Sequence, residues 1–146
     1  MIYLVDIDGT LADLSHRLPF IQNKPADWKR FFAACPQDKP IQEVIEVVQS
    51  LTSYGHSVIA VSGRSDEIRQ ETEDWLYHHG ILFTKLYMRH AGDHREDSIV
   101  KSELLDEILK DTPISSIGGV FDDRRQVVDM FRKRGLRVFQ VAEGNF

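Results

Sequence analysis

Cysteine is nearly missing from this chain of 146 residues: Cys35 stands alone. A single thiol excludes an internal disulfide and a cysteine-built metal cluster. No apolar run approaches the roughly 20 residues that span a bilayer. The first residues read as a strand and not as a leader peptide, so the expected setting is the cytoplasm, away from membranes. Positive charge is also scarce. The chain has 18 Lys and Arg against 23 Asp and Glu, a net charge of −5. That excludes the broad basic surface of a protein that coats long nucleic acid, though not one that grasps a single phosphate at a chain end. Internal repeats and low-complexity tracts are absent. So is any Gly-x-x-x-x-Gly-Lys-Ser/Thr loop, which leaves no P-loop kinase within these residues.

What remains is the profile of one globular domain over residues 1–146, 42% apolar and 28% charged. Its organising stretch is Ile2-Tyr3-Leu4-Val5-Asp6-Ile7-Asp8-Gly9-Thr10. The β-branched and aromatic run predicts a buried strand that stops on two aspartates and a turn glycine. Alternation puts Asp6 and Asp8 on one side of the strand end, where a cation between them would relieve their repulsion. An EF-hand calcium loop is excluded, because Leu11 and Arg17 stand where Gly and Glu are required.

Leu11 to Pro40 is punctuated by Pro19, Pro25, Pro36 and Pro40 and is expected to form a small lid over 11–40. Within it Asp27 can cap a short helix bearing Trp28, Phe31 and Phe32, aromatics expected to pack rather than to stack on substrate. A helix follows over 41–51. Strands are expected at 57–61, 83–88, 114–121 and 137–141, with helices at 66–79, 99–110 and 124–134. Strands alternating with helices predict an α/β fold: a doubly wound parallel sheet of about five strands.

Ligands of such sheets sit at the carboxyl ends of the strands. Asp6 and Asp8 follow the first strand, Ser62-Gly63-Arg64 the second, and Asp122-Asp123 the fourth. Each cluster alone has an ordinary explanation, such as capping a helix. Together they make a pocket of four carboxylates, one hydroxyl and one guanidinium. That inventory suits magnesium beside a phosphate. Lys101, in the first turn of a helix, is a candidate to hold further phosphoryl oxygens.

Asp6-Ile7-Asp8-Gly9-Thr10, Ser62, Lys101 and Asp122-Asp123 stand in the order and strand context of the haloacid dehalogenase (HAD) superfamily, which this chain resembles. Within it, the chain is similar to the 3′-phosphatase domain of the phage-type polynucleotide kinase/phosphatases. That likeness rests on Val61-Ser62-Gly63-Arg64, on Gly92-Asp93-His94-Arg95 through Val100-Lys101, and on Asp122-Asp123-Arg124-Arg125-Gln126-Val127-Val128. The tail Gln140-Val141-Ala142-Glu143-Gly144-Asn145-Phe146 adds to it. The likeness is weakest over 21–40.

The resemblance implies that Asp6 is the nucleophile and Asp8 the general acid–base. Asp6, the Asp8 carbonyl and Asp122, with Asp123 nearby, would hold Mg2+. Ser62 and Lys101 would bind the transferred phosphoryl group. Thr10, Arg17, Gly63, Arg64 and Asp97 would serve substrate binding. The implied activity is removal of 3′-phosphate from DNA or RNA ends (or 3′-nucleotides) through an aspartyl-phosphate, in end healing. It also implies a 5′-kinase or ligase partner, homo-oligomers, and a host cytoplasm if the chain is phage-encoded. For Asp8 to act first as an acid, part of it must be protonated beforehand; crowding by Asp6 is expected to help by raising its pKa, and magnesium to oppose that. Two other functions stay open from the residues. One is a HAD phosphatase of nucleotides or other small phosphomonoesters, though the small lid suits an uncapped mouth. The other is a receiver-like phospho-switch, which Met88-Arg89 argues against by offering no phospho-acceptor after the third strand.

Overall fold

The computed structural model describes residues 1–146. Its centre is β1 (Ile2–Val5), parallel to β4 (Ser57–Ser65) on one side and to β6 (Ile117–Asp122) on the other. β5 (Lys85–Arg89) and β7 (Val138–Gln140) are the edges, giving the order β5-β4-β1-β6-β7. The chain builds outward from β1 through β4 to β5, then returns to β1 and builds through β6 to β7. The switch point of this α/β sheet therefore lies beside β1, where the acidic stretch emerges.

Both faces of the sheet are covered, which is why its strands are near-continuous apolar runs. Alternation sends Leu4, Ile59 and Val61 to one face. There they meet Val100, Leu104, Leu105 and Ile108 of α5 (Asp97–Asp111) and Val127, Val128 and Phe131 of α6 (Arg125–Lys133). Val5, Ile7, Val58 and Ala60 go to the other face. They meet Ile45 and Val48 of α3 (Gln42–Ser53) and Trp75 and Leu76 of α4 (Arg69–His78). No helix is long and apolar enough to cross a membrane.

Several boundaries differ from expectation. β4 runs on to Ser65, so Ser62, Gly63 and Arg64 lie within the strand and not after it. Its pairing with β5 shifts register between Ser62 and Ser65, a bulge that re-aims side chains at the sheet end. α5 begins at Asp97, two residues early, which places Asp97 one turn before Lys101. A 3-10 turn over Ile114–Ser116 delays β6.

The segment expected as a lid is more structured than its prolines suggest. β2 (Ala12–Asp13) pairs antiparallel with β3 (Lys39–Pro40), closing the base of an excursion over 14–38. Inside it, Pro19 sits at the first position of α1 (Pro19–Gln22), and the Asp27 side chain accepts from the Arg30 N–H at 3.1 Å to cap α2 (Trp28–Ala33). Phe31 is buried and Phe32 half-buried against it, while Trp28 stays exposed, so the expectation that these three aromatics pack holds for the phenylalanines and fails for Trp28.

Candidate active site

Beyond Val5 the main chain turns back on itself. Gly9 has φ +82°, a left-handed conformation that favours glycine, and a Cβ there would run into the Asp123 carboxylate. Gly63 is restricted by space alone, because a Cβ would collide with the carboxylate of Asp97. Both glycines thus let carboxylates from neighbouring elements close on the end of β1.

The first half of the site surrounds Asp6. Thr10 donates to its Oδ2 at 3.0 Å, and Lys101 Nζ donates to its Oδ1 at 2.8 Å. The same ammonium donates to Asp122 Oδ2 at 2.8 Å and lies 3.8 Å from Asp97 Oδ2. Lys101 is fully buried, not a surface lysine. Burial alone would lower its pKa, but the charges of Asp122 and Asp6 raise it well above the usual lysine value. Burial, reinforced by the charge of Asp122, pushes the Asp6 carboxyl well above the ordinary carboxylate range despite Lys101. Burial and Asp122 also raise Asp123.

Carboxylate oxygens of Asp6, Asp122 and Asp123 lie within 4.8 Å of one another, all buried. Three carboxylates against one ammonium leave an excess of negative charge. An all-oxygen donor set with that excess fits a hard divalent cation. The Asp8 carboxylate is not part of this group.

The second half holds Asp8. Arg64 Nε and Nη2 donate to its Oδ1 at 3.1 and 2.7 Å, and Arg17 Nη2 donates to the same oxygen at 2.9 Å. Both arginines are fully buried. They share a second anion, Asp38. Arg17 binds it through two parallel bonds, Nε to Oδ1 at 2.7 Å and Nη2 to Oδ2 at 2.6 Å, while Arg64 Nη2 donates to Oδ2 at 3.0 Å. His16 Nε2 lies 2.6 Å from Asp38 Oδ1, and Arg64 Nη1 donates to Thr72 Oγ1 at 3.1 Å. Two guanidiniums against two carboxylates are balanced.

This overturns the expectation that Asp6 raises the pKa of Asp8. Burial does push it up, but the charges and hydrogen bonds of Arg64 and Arg17 outweigh burial and hold the carboxyl below its ordinary value. It also changes the reading of the arginines. Their donors reach Asp8, Asp38, Thr72 and the Phe31 carbonyl, so as placed both arginines hold Asp8. Thr10 likewise faces Asp6.

Ser62 is buried, and its Oγ accepts from the Arg64 N–H at 3.1 Å. Asp97 accepts from Arg89 Nη2 at 3.0 Å and lies 3.6 Å from Arg124 Nη1. Arg89 also donates to the carbonyls of Gly63, Asp93 and Arg95, at 2.8, 3.2 and 2.7 Å, which ties the charged loop 90–96 to the end of β4.

Asp38 and Arg89 were missed in the sequence. Asp38 stands in Gln37-Asp38-Lys39-Pro40, which reads as a surface turn, and its arginines are 21 and 26 residues away. Charge counting offered the one clue: two arginines beside Asp8 require a second anion once buried.

The family model of the polynucleotide kinase PNKP phosphatase domain matches residues 1–146. Among solved structures, the chain is similar to one in a Pnkp1/Rnl/Hen1 complex, with TM-score 0.82 and 32% identity over 99% of this chain and 47% of that one. It is also similar to one in a Pnkp1/Rnl/Hen1 RNA repair complex, with TM-score 0.85 and 34% identity over 99% of this chain and 43% of that one. It thus spans less than half the length of these relatives. The class C acid phosphatase from Bacillus anthracis shares the fold, with TM-score 0.70 and 14% identity over 99% of this chain and 66% of that one.

Asp38→Ala should be costly even though Asp38 lies outside the Asp6 half. It would leave two buried guanidiniums facing a single carboxylate, and urea unfolding should show a loss of about 3–5 kcal/mol. His16→Ala, at the half-exposed edge of the network, should cost less than about 1 kcal/mol. Equal, small losses in both variants would mean that the quartet does not hold the lid.

Proposed function

Since the chain belongs to the phosphatase-domain family of polynucleotide kinase PNKP, an α/β HAD-like fold, and is a phosphatase, we propose that it removes 3′-phosphate from polynucleotide ends. In this reading it needs Mg2+, works in the cytoplasm and passes through an aspartyl-phosphate on Asp6. The observation that carries the mechanism is the split between the two aspartates. Asp6 faces Lys101, Asp122 and Asp123, whereas Asp8, two residues on, faces Arg17 and Arg64. One strand end thereby offers a nucleophile and a separate proton carrier. Family membership sets aside the receiver-like switch.

Asp6, oriented by Thr10, attacks phosphorus in line. The bond to the 3′-oxygen breaks, and Asp8 delivers a proton to that oxygen. Water then attacks the phosphorus of the acyl phosphate, Asp8 takes its proton, and phosphate leaves with Asp6 restored. Lys101 neutralises phosphoryl charge, and Ser62 offers a hydroxyl beside it. Magnesium, held by Asp6, Asp122 and Asp123 with the Asp8 carbonyl, would supply Lewis-acid neutralisation of the same charge. The RNA repair complex of the Pnkp1 relative supports RNA ends among the substrates and a ligase or kinase as partner.

The reading is tested with matched oligonucleotides carrying phosphate at one end only. Phosphate should be released from 3′-phosphate ends and not from 5′-phosphate ends. Comparable rates on both would reduce the proposal to a phosphatase without end choice.

The two aspartates should separate by leaving group. Asp6→Asn should be inactive on every substrate. Asp8→Asn should lose about 10²–10⁴-fold on a 3′-phosphorylated oligonucleotide, and much less on an aryl phosphate whose phenolate leaves without a proton. Substantial turnover by pure, undeamidated Asp6→Asn would eliminate the covalent route.

Metal binding has a readout of its own. Mg2+ should raise the melting temperature of the wild-type chain, because it binds the folded state. Asp122→Ala should abolish that shift. Full phosphatase activity in excess chelator would remove magnesium from the mechanism.

A further inference from the structure

Trp28 is 55% exposed, on a short helix of the lid. Its ring lies edge-on to Phe31 at 5.6 Å between centroids and near-parallel to Phe32 at 6.1 Å. Those contacts support the indole from one side and leave the rest of it in water. The platform is anchored. Phe31 is buried beneath the Arg17 guanidinium, 4.5 Å from its ring centroid, and Trp75 Nε1 donates to the Asp38 carbonyl at 3.0 Å. Arg17 in turn reaches Asp8 Oδ1 at 2.9 Å. Trp28 therefore stands two side chains away from the carboxylate assigned to the leaving oxygen.

Charge along its segment runs against the rest of the chain. Residues 14–40 contain Arg17, Lys24, Lys29, Arg30 and Lys39 against Asp27 and Asp38, a balance of +3 in a chain of −5. Lys24, Lys29, Arg30 and Lys39 are all exposed, whereas Asp38 is buried. Asp27 is spent as the cap of the helix and lies 3.6 Å from Arg30.

We propose that Trp28, with Lys24, Lys29, Arg30 and Lys39, forms a platform on which the single strand behind the 3′-phosphate lies, one base stacking on the indole. This rests on the polynucleotide reading above. An exposed aromatic combined with cations on the same segment is a means by which single strands are held without regard to sequence, because every base has a π-face. A protein partner fits the surface less well. One indole buries at most about 250 Å², far below the roughly 800 Å² per partner of a standard interface, and Phe31 beside it is already covered.

The test compares a 3′-phosphorylated single-stranded hexanucleotide with the mononucleoside 3′-phosphate, which has no strand behind its phosphate to lie on the platform. Loss of one stacked base should lower the hexanucleotide-to-mononucleotide ratio of kcat/KM by about 5- to 100-fold in Trp28→Ala. Trp28→Phe, which keeps a π-face, should recover most of that loss. Fluorescence gives a second readout, since Trp75 is buried and Trp28 is the one exposed indole. A 3′-hydroxyl hexanucleotide should quench wild-type emission, and a mononucleoside should not.

An unchanged ratio in Trp28→Ala, or no quenching by the hexanucleotide, overturns the platform while leaving the 3′-phosphatase reading intact. Failure of the wild-type chain to hydrolyse either 3′-phosphate overturns that reading itself. A change in self-association of Trp28→Ala with the substrate ratio unmoved would assign the indole to contact between copies instead.

Discussion

Two buried arginines set the terms for this structure. Withdrawing a guanidinium from water costs several kcal/mol unless its charge and donors are met in place. Arg17 and Arg64 are both fully buried, and both are met by Asp8 and Asp38. The four residues come from different parts of the chain: the turn after β1, the lid near its entry, the lid near its exit, and β4. The lid cannot take another path, nor β4 another register, without stranding a charge. A segment whose prolines and short elements give little stability of their own is thus held by electrostatics at its two ends. Phe31 under Arg17 and Trp75 on the Asp38 carbonyl add packing to the same joint.

That balance makes the opposite half intelligible. Arg17 and Arg64 meet no carboxylate beyond Asp8 and Asp38, so Lys101 is the cation that Asp6 and Asp122 share. The negative excess is confined to one side of the β1 end. Asp6 and Asp8 are chemically identical and two residues apart, yet burial beside Asp122 raises the first while the paired guanidiniums lower the second. Their difference is created by the elements that flank β1.

How much of this the sequence disclosed follows from the range of the interactions. The sheet was legible because strand and helix periodicities are local, and the Asp6, Ser62, Lys101 and Asp122 clusters were legible because each ends a recognisable strand or opens a helix. Boundaries slipped where tertiary pairing extends an element: β4 continues through Arg64 to Ser65 against β5. Asp38 escaped because nothing within five residues of it signals a role, and its partners come together only in the folded chain. Arg17 and Arg64 were singled out for substrate binding, but their contact with Asp8 and Asp38 was not foreseen. A residue type suited to phosphate is equally suited to carboxylate, and only geometry tells which anion it meets.

The same geometry resolves an apparent conflict in Asp8. The proposed function makes Asp8 a proton carrier, and one whose pKa is depressed, as two guanidiniums depress this one, is poorly loaded as an acid. All three of their hydrogen bonds, however, fall on Oδ1. Oδ2 receives none of them, so the carboxylate is clamped by one oxygen and presents the other. Orientation is therefore gained at some cost in acidity match, a trade that suits a group that must both give and take a proton at one place. In the proposed hydrolytic half-reaction the low pKa keeps Asp8 ionised, as a base must be, while also weakening it as a base. In the proposed first half-reaction, proton transfer would draw instead on the basicity that the sugar oxygen acquires as its bond to phosphorus lengthens.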